Sequence, residues 1–220
     1  MGIVVLRRTG DLGDDLVLAP ERYHPGRAVA IPSSIRLADL VDVLTRNSAI
    51  STSDERPVLV LDTSHAYEGF VICRHRPVTA SEIGSSKRLV RSGDVIVSRL
   101  RPYLRQVAYV DLALFRQSPK GHHVVVSTEF FVLRGRGGFP AAALVPFLLS
   151  EPIQAALAAG QEGGHYPRFS RDLLASLRVP DRLVAQANAT ARRIRALSRR
   201  LRRSLQDARA LIAEVQSLVR

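Results

Sequence analysis

Nothing in this chain narrows its possible folds as much as its C-terminal stretch. Leu183, Ala187, Thr190, Ile194, Leu197, Leu201, Ser204, Ala208, Leu211, Val215 and Leu218 follow one another at alternating steps of four and three. That repeat lays a stripe of small and apolar side chains along one face of a helix. No proline or glycine interrupts the run after Pro180, and its alanine, arginine and leucine favour helix. The pattern predicts one continuous helix over about 181–219, roughly 60 Å long. Such a stripe cannot be buried within its own helix, so these positions are the candidate dimerisation residues of a coiled coil. Leu205, Ile212 and Val219 widen the face toward the C-terminus, while Thr190 and Ser204 weaken the seam and are suited to setting register.

Charge sharpens the reading. The formal net charge is +12, from 32 basic residues against 20 acidic ones, and Lys87 and Lys120 are the only lysines. Residues 181–220 hold 10 arginines and 3 acids, so they carry +7 and residues 1–180 carry the other +5. Arg192, Arg193, Arg195, Arg199, Arg200, Arg202 and Arg203 all lie outside the seam. A balance this basic favours nucleic acid or an acidic surface as partner. The guanidinium fork suits phosphate and guanine, although a chain-wide bias toward arginine would raise the same count. A leucine-zipper reader needs its basic segment ahead of the seam, whereas these arginines interleave with it. That order disfavours the zipper reader without removing it, beside a dimerisation and docking arm or a helix kept soluble by its charge.

Ahead of the helix, Leu89 to Val110 organises the globular part. A turn at Ser92-Gly93-Asp94 launches Val95–Val97, which can pair with Val107–Val110 across a connection holding Arg99, Arg101 and Arg105 around Pro102 and Tyr103. Three cations in so short a segment are expected to face solvent or a polyanion. Elsewhere, Ile3–Leu6 and Leu16–Leu18 suggest a hairpin or arm, and Ile35 to Leu44 reads as a short amphipathic helix. Val58–Leu61 and Gly69–Cys73 read as strands. Val124–Val126 and Phe130–Leu133 read as a strand pair or one bent strand. Ala141–Leu149, Glu151–Ala159 and Arg171–Leu177 are expected helices, the second with Glu151 and Pro152 in its first turn.

Catalytic chemistry finds little support. Cys73 is the only cysteine, so an intrachain disulfide is excluded and a zinc site is expected only from histidines and carboxylates. No pair among His24, His65, His75, His122, His123 and His165 has the helical metal-ligand spacing. Cys73 and His75 share a strand face, with Cys73 read as a small core hydrophobe. Asp62, Ser64 and His65 lack triad geometry. Gly135, Gly137 and Gly138 lack the order of a phosphate cradle. No metal, cofactor or catalytic residue is therefore expected. No signal segment or 18-residue apolar run occurs, and the expectation is a soluble, cytoplasmic protein without a membrane partner.

Four segments carry a resemblance. They are Gly93-Asp94-Val95-Ile96-Val97-Ser98-Arg99-Leu100-Arg101-Pro102-Tyr103-Leu104 followed by Val107-Ala108; Ser127-Thr128-Glu129-Phe130-Phe131-Val132-Leu133; Gly163-Gly164-His165-Tyr166-Pro167-Arg168-Phe169; and Leu177-Arg178-Val179-Pro180 leading into the long helix. In this order, over about residues 34–220, they resemble the target-recognition domain of the DNA specificity subunit of type I restriction-modification systems. The resemblance implies a non-catalytic subunit whose domain reads one half of a bipartite double-stranded DNA target and whose helix sets the distance between half-sites. It also implies adenine-N6 methyltransferase subunits as partners and, in many systems, a translocating restriction subunit. Full-length family members usually carry two recognition domains, and this chain has room for one. The implied form is a half-subunit that pairs with itself.

In that frame Arg99, Arg101 and Arg105 are the first candidates for phosphate contacts. Lys87, Arg88, His122, His123, Arg134, Arg136, Tyr166, Arg168 and Arg171 are further candidates that would reach bases or phosphates from loops. The expected fold class is α+β, a recognition domain with a mixed or antiparallel sheet and short helices, then a long coiled-coil helix. The expected division is 1–33 as an arm or hairpin, 34–180 as the recognition domain and 181–220 as the dimerisation and spacer helix. A coiled-coil adaptor in another defence or regulatory complex, and a stand-alone dimeric DNA-binding regulator, are the alternative functions.

Overall fold

The computed structural model describes residues 6, 8, 33–47, 56–73, 75–83, 86–116, 121–163 and 166–218. The expected N-terminal hairpin lies outside them, apart from Leu6.

Strand β6 (Val95–Ser98) is the centre of the domain. It pairs antiparallel with β7 (Val107–Tyr109), as the sequence pattern predicts, and with β9 (Phe130–Gly135) on its other side. Strand β1 (Val41–Leu44) extends this sheet beyond β9, and β4 (Gly69–Val71) and β3 (Ala66–Tyr67) extend it beyond β7, giving the order β1-β9-β6-β7-β4-β3. The β4–β7 pair is parallel, so the sheet is mixed. A second sheet is built on β8 (His123–Ser127), parallel to β2 (Val58–Leu61) and antiparallel to β5 (Lys87–Leu89).

Because successive strand residues point to opposite faces, β6 feeds two cores at once. Val95 and Val97 join Val107, Phe131 and Leu133 on the face covered by helices, while Ile96 joins Ala108, Phe130 and Val132 against Leu59, Leu61, Val124 and Val126 of the second sheet. A strand buried on both faces shows in the sequence as an unbroken apolar run. The helical layer comprises a 3-10 turn at Ala141–Leu144, α2 (Val145–Leu148), α3 (Glu151–Ala159) and α4 (Arg171–Ser176). α4 is capped by Ser170, whose Oγ accepts from Leu173 N–H. No single helix among the described residues is long and apolar enough to cross a membrane.

Three expectations are corrected. The helix expected over 35–44 is only α1 (Leu37–Leu40); Val41 and Val43 are buried around exposed Asp42, a period of two that pairs this segment with β9. The runs 124–126 and 130–133 neither pair with each other nor form one strand. The chain changes sheets at Ser127–Glu129, with β8 in one layer and β9 in the other. The long helix is also interrupted: α5 (Asp181–Ala185) ends at Gln186, and α6 (Ala187–Ser217) runs 31 residues, about 46 Å.

The start of the seam is occupied by the chain's own domain. Ala187 and Ala191 are buried in the helix-side core, with Leu183, Val184 and Ile194 packed against it. Small side chains there let the helix backbone approach the 3-10 turn at Ala141–Leu144. Farther along, Arg202 reaches Asp111 at 2.6 Å. By contrast Leu211, Val215 and Leu218 are 63–81% exposed.

Arg88 holds the sheet change together from inside. Its side chain is buried, donating from Nε to Thr45 O at 2.8 Å and from Nη1 to Thr128 O at 2.7 Å and to Phe130 O. Burial, and secondarily the charge of Arg99, lowers its pKa, so the carbonyls must supply what water does not. Arg88→Met is expected to leave those acceptors unpaired and to destabilise the domain by about 2–4 kcal/mol, read from the urea unfolding midpoint. A midpoint unchanged within error would contradict this role.

Candidate nucleic-acid interface

The segment joining β6 to β7 is a built tip. Arg101 and Arg105 both adopt left-handed backbone conformations, with φ of 44° and 52°, and bracket a 3-10 turn at Pro102–Leu104. A non-glycine residue is strained in that conformation, so two of them in five residues mark a shape held by its surroundings. Pro102 is buried beneath the tip, while Tyr103 is 70% exposed and Arg101 is exposed. Arg105 turns inward: Nη2 donates to Leu149 O, and Nε lies 3.5 Å from Glu68.

Beside the tip lies a second loop, carried by the short hairpin β10 (Gln161–Glu162) and β11 (Arg168–Phe169). The two loops are joined by a bridge between Leu100 and Arg168 and by Phe169 N–H donating to Arg99 O at 3.2 Å. Glu129, from the sheet-changing turn, fastens both. Its carboxylate accepts two hydrogen bonds from Arg168, at 2.7 and 2.9 Å, and lies 4.0 Å from Arg99 Nε; its carbonyl accepts from Arg99 N–H at 2.9 Å. The Arg99 guanidinium lies 5.5 Å from the centroid of the Phe131 ring. Arg168 holds the Glu129 carboxyl below the usual range, with Arg99 and Arg88 adding to the effect, and Glu129 in turn raises Arg168.

The structure therefore gathers Arg99, Arg101, Tyr166 and Arg168 around one surface, with Tyr103 at its crest. Tyr103 is more exposed than Tyr67 or Tyr166, the other exposed tyrosines of the described residues. Its exposure depends on the left-handed bracket, which composition does not reveal.

Other candidates lie elsewhere. Arg88 is interior, so its placement among residues reaching out from a loop is corrected. Arg134 makes a bidentate pair with buried Asp94 at 2.7 and 2.9 Å, a contact that raises its pKa. Arg136 is 3.2 Å from Asp42 and donates to Ala38 O. These two sit toward the end of β9 remote from Glu129. His122, buried, has its pKa lowered chiefly by that burial, and with His123 stands at the start of β8, about 13 Å along the strand from Ser127. Lys87 lies on β5 opposite Ser127. Arg171 donates to Val43 O at 3.2 Å from the first turn of α4. His65 Nδ1 accepts from Asp62 N–H at 2.8 Å, so that ring nitrogen is engaged with backbone and not with Ser64.

Because the folded-state pKa of Glu129 is depressed, its contribution to stability is present above its ordinary value of 4.5 and lost as pH falls through the lower folded value. Glu129→Gln is expected to cost about 1–3 kcal/mol near neutrality. The gap between wild type and variant should close only below pH 4.5, the ordinary value, measured by denaturant unfolding across pH. A gap independent of pH would show that the carboxylate charge is not what fastens the loops.

No protein-family model matches the sequence, and no curated protein matches it. Among solved structures, a chain from work described as "Structural basis underlying complex assembly and conformational transition of the type I R-M system" superposes with a TM-score of 0.55 at 24% identity, covering 84% of this chain and 48% of that one. The HsdS subunit from Thermoanaerobacter tengcongensis gives a TM-score of 0.41 at 17% identity, covering 80% of this chain and 41% of that one. The chain spans about half the length of the solved chains it matches. In fold, over most of its length, it is similar to part of a chain from a type I restriction-modification system.

Proposed function

We propose that this chain is a non-catalytic DNA-recognition subunit that reads one half of an interrupted duplex target and acts as a homodimer. On this reading it directs an adenine-N6 methyltransferase to that target and, in a system that has one, a restriction subunit. The observation that carries the reading is the fold likeness to a chain of a type I R-M system, which takes in 84% of this chain but 48% of the other. A two-fold pair of chains, each with one such domain and one long helix, would present two readers to an interrupted target. The exposed apolar positions Leu211, Val215 and Leu218 are available for that pairing, as is Leu197, 41% exposed. The first turns of the seam are not, since Leu183, Ala187 and Ile194 pack on the domain.

The surface best suited to DNA is the double loop. Arg101 is exposed at its tip, the side chains of Arg99 and Arg168 are partly exposed beside it, and Tyr103 and Tyr166 offer faces for sugar or base. Arg88 and Arg105 serve this surface as framework, because their donors are engaged by carbonyls and a carboxylate, whereas Arg134 is paired with Asp94 at the far end of β9.

The test is the salt dependence of binding to random-sequence duplex DNA by the purified chain. Arg99→Ala with Arg101→Ala is expected to lower the slope of log affinity against log salt by about 0.9 for each phosphate no longer neutralised, about 2 in all, and to weaken binding at low salt by at least roughly tenfold. Arg136→Ala, at the other end of the sheet, should leave both unchanged. Equal slopes for wild type and double variant would remove the tip from the interface. Absence of duplex binding together with capture of a protein partner would favour an adaptor.

A further inference from the structure

A side-chain cluster on the opposite edge of the large sheet has no part in the reading above. Strands β3 and β4 form a hairpin in which Tyr67 pairs with Phe70, so Glu68 and Gly69 make the two-residue turn. Both have positive φ, 40° and 102°, the conformation two-residue hairpins favour. The pairing continues past the strands, with Ile72 N–H donating to His65 O at 2.9 Å. This folds the chain back so that His65, from the 3-10 turn Thr63–His65, meets Cys73 and His75. The His65 and His75 rings stand edge to face with centroids 4.6 Å apart.

One ligand atom from each of His65, Cys73 and His75 lies within 4.8 Å of the other two. A tetrahedral zinc shell, with Zn–N near 2.0–2.1 Å and Zn–S near 2.3 Å, places donor atoms about 3.3–3.6 Å apart, so closing by roughly 1 Å completes three corners. The burial is graded: His65 is buried, Cys73 half-buried and His75 exposed. Cys73 and His75 also line a cleft of about 870 Å³ between the domain and the far part of α6, which gives a cation its way in and a solvent position for the fourth corner. We propose that His65, Cys73 and His75 form a binding site for a borderline-soft divalent cation, zinc above all, with two imidazole nitrogens and one thiolate as ligands.

Two neighbours set its character. Burial pushes the Cys73 thiol up, so metal entry must release its proton to solvent; of the nearby charges Arg209, which donates to Cys73 O at 3.4 Å, opposes a cation and Asp62 favours one. His65 Nδ1 accepts from Asp62 N–H, so Nε2 carries the ring proton and is the nitrogen left for a metal. Metal at Nε2 displaces that proton, and the neutral ring must then carry its proton on Nδ1. The bond from Asp62 N–H breaks as the metal enters. The site is thus a poised one that rearranges its 3-10 turn on loading, in contrast to closed structural sites whose histidines donate to an acceptor.

Cobalt(II) titration of the purified full chain tests this, because a thiolate ligand gives a charge-transfer absorption that histidines alone do not. The expected result is one Co²⁺ per chain with that absorption, its displacement by Zn²⁺, and a shift of the Asp62 amide resonance on Zn²⁺ addition. Cys73→Ser should abolish the charge-transfer band. His75→Ala, at an exposed position that leaves the fold undisturbed, should weaken Co²⁺ binding at least roughly tenfold. Uptake without the band, or uptake equal in wild type, Cys73→Ser and His75→Ala, would place the metal on other histidines and overturn the site, as would no uptake at all. Since DNA is absent from the titration, its outcome is separate from that of the DNA-binding reading.

Discussion

The molecule depends on how it crosses from one sheet to the other at Ser127–Glu129. A chain leaving β8 and entering β9 within so few residues must turn its carbonyls into the interior, where unpaired acceptors are costly. Arg88 answers from inside with bonds to Thr45, Thr128 and Phe130 carbonyls. Glu129, at the mouth of the turn, answers outward by binding Arg168 and drawing in Arg99. Two sheets, two loops and one exposed basic surface therefore share a single ionic junction. A buried arginine bonded only to carbonyls would be poorly stabilised alone, and the carboxylate beside it supplies the compensating charge.

That junction also separates arginines by role. A count of cations predicts a basic surface, but Arg88, Arg105 and Arg134 use their donors within the protein, and Arg168 donates from all three guanidinium nitrogens to Glu129 and Tyr166 O with its side chain only partly exposed. At the double loop, what faces outward is narrower than the arginine content suggests: the tip at Arg101 and Tyr103, flanked by Arg99, Tyr166 and Arg168, while a separate row of exposed arginines, Arg192, Arg193, Arg199, Arg200 and Arg203, runs along α6. Phosphate contacts made from a braced loop lose less conformational freedom than contacts made by free side chains.

The legible parts of the sequence are those whose signal is local. The double-sided burial of Val95–Val97, the strand at 58–61, the proline-started α3 and the capped α4 follow from period and from residues a few positions apart. The pairings Asp94–Arg134 and Glu129–Arg168 span 40 and 39 residues, and no local pattern announces them. The segment 35–44 misleads because Leu37, Leu40, Val41 and Leu44 fit a helical period while Val41 and Val43 also fit a strand; pairing with the open edge of β9 decides between them. His65 has no helical spacing to Cys73 or His75, because a two-residue hairpin brings the three together. The heptad stripe of α6 does mark a helix, but its first turns pack on the chain's own domain, while the later positions Leu211, Val215 and Leu218 are exposed.

Enrichment of sequences from a random duplex pool by the purified chain, at low salt, tests the central claim of a paired half-reader most directly. The expected result is two inverted copies of one short motif at a fixed spacing, since a two-fold pair of identical readers imposes that symmetry on its target. Enrichment of a single unrepeated motif, or of none, would contradict it.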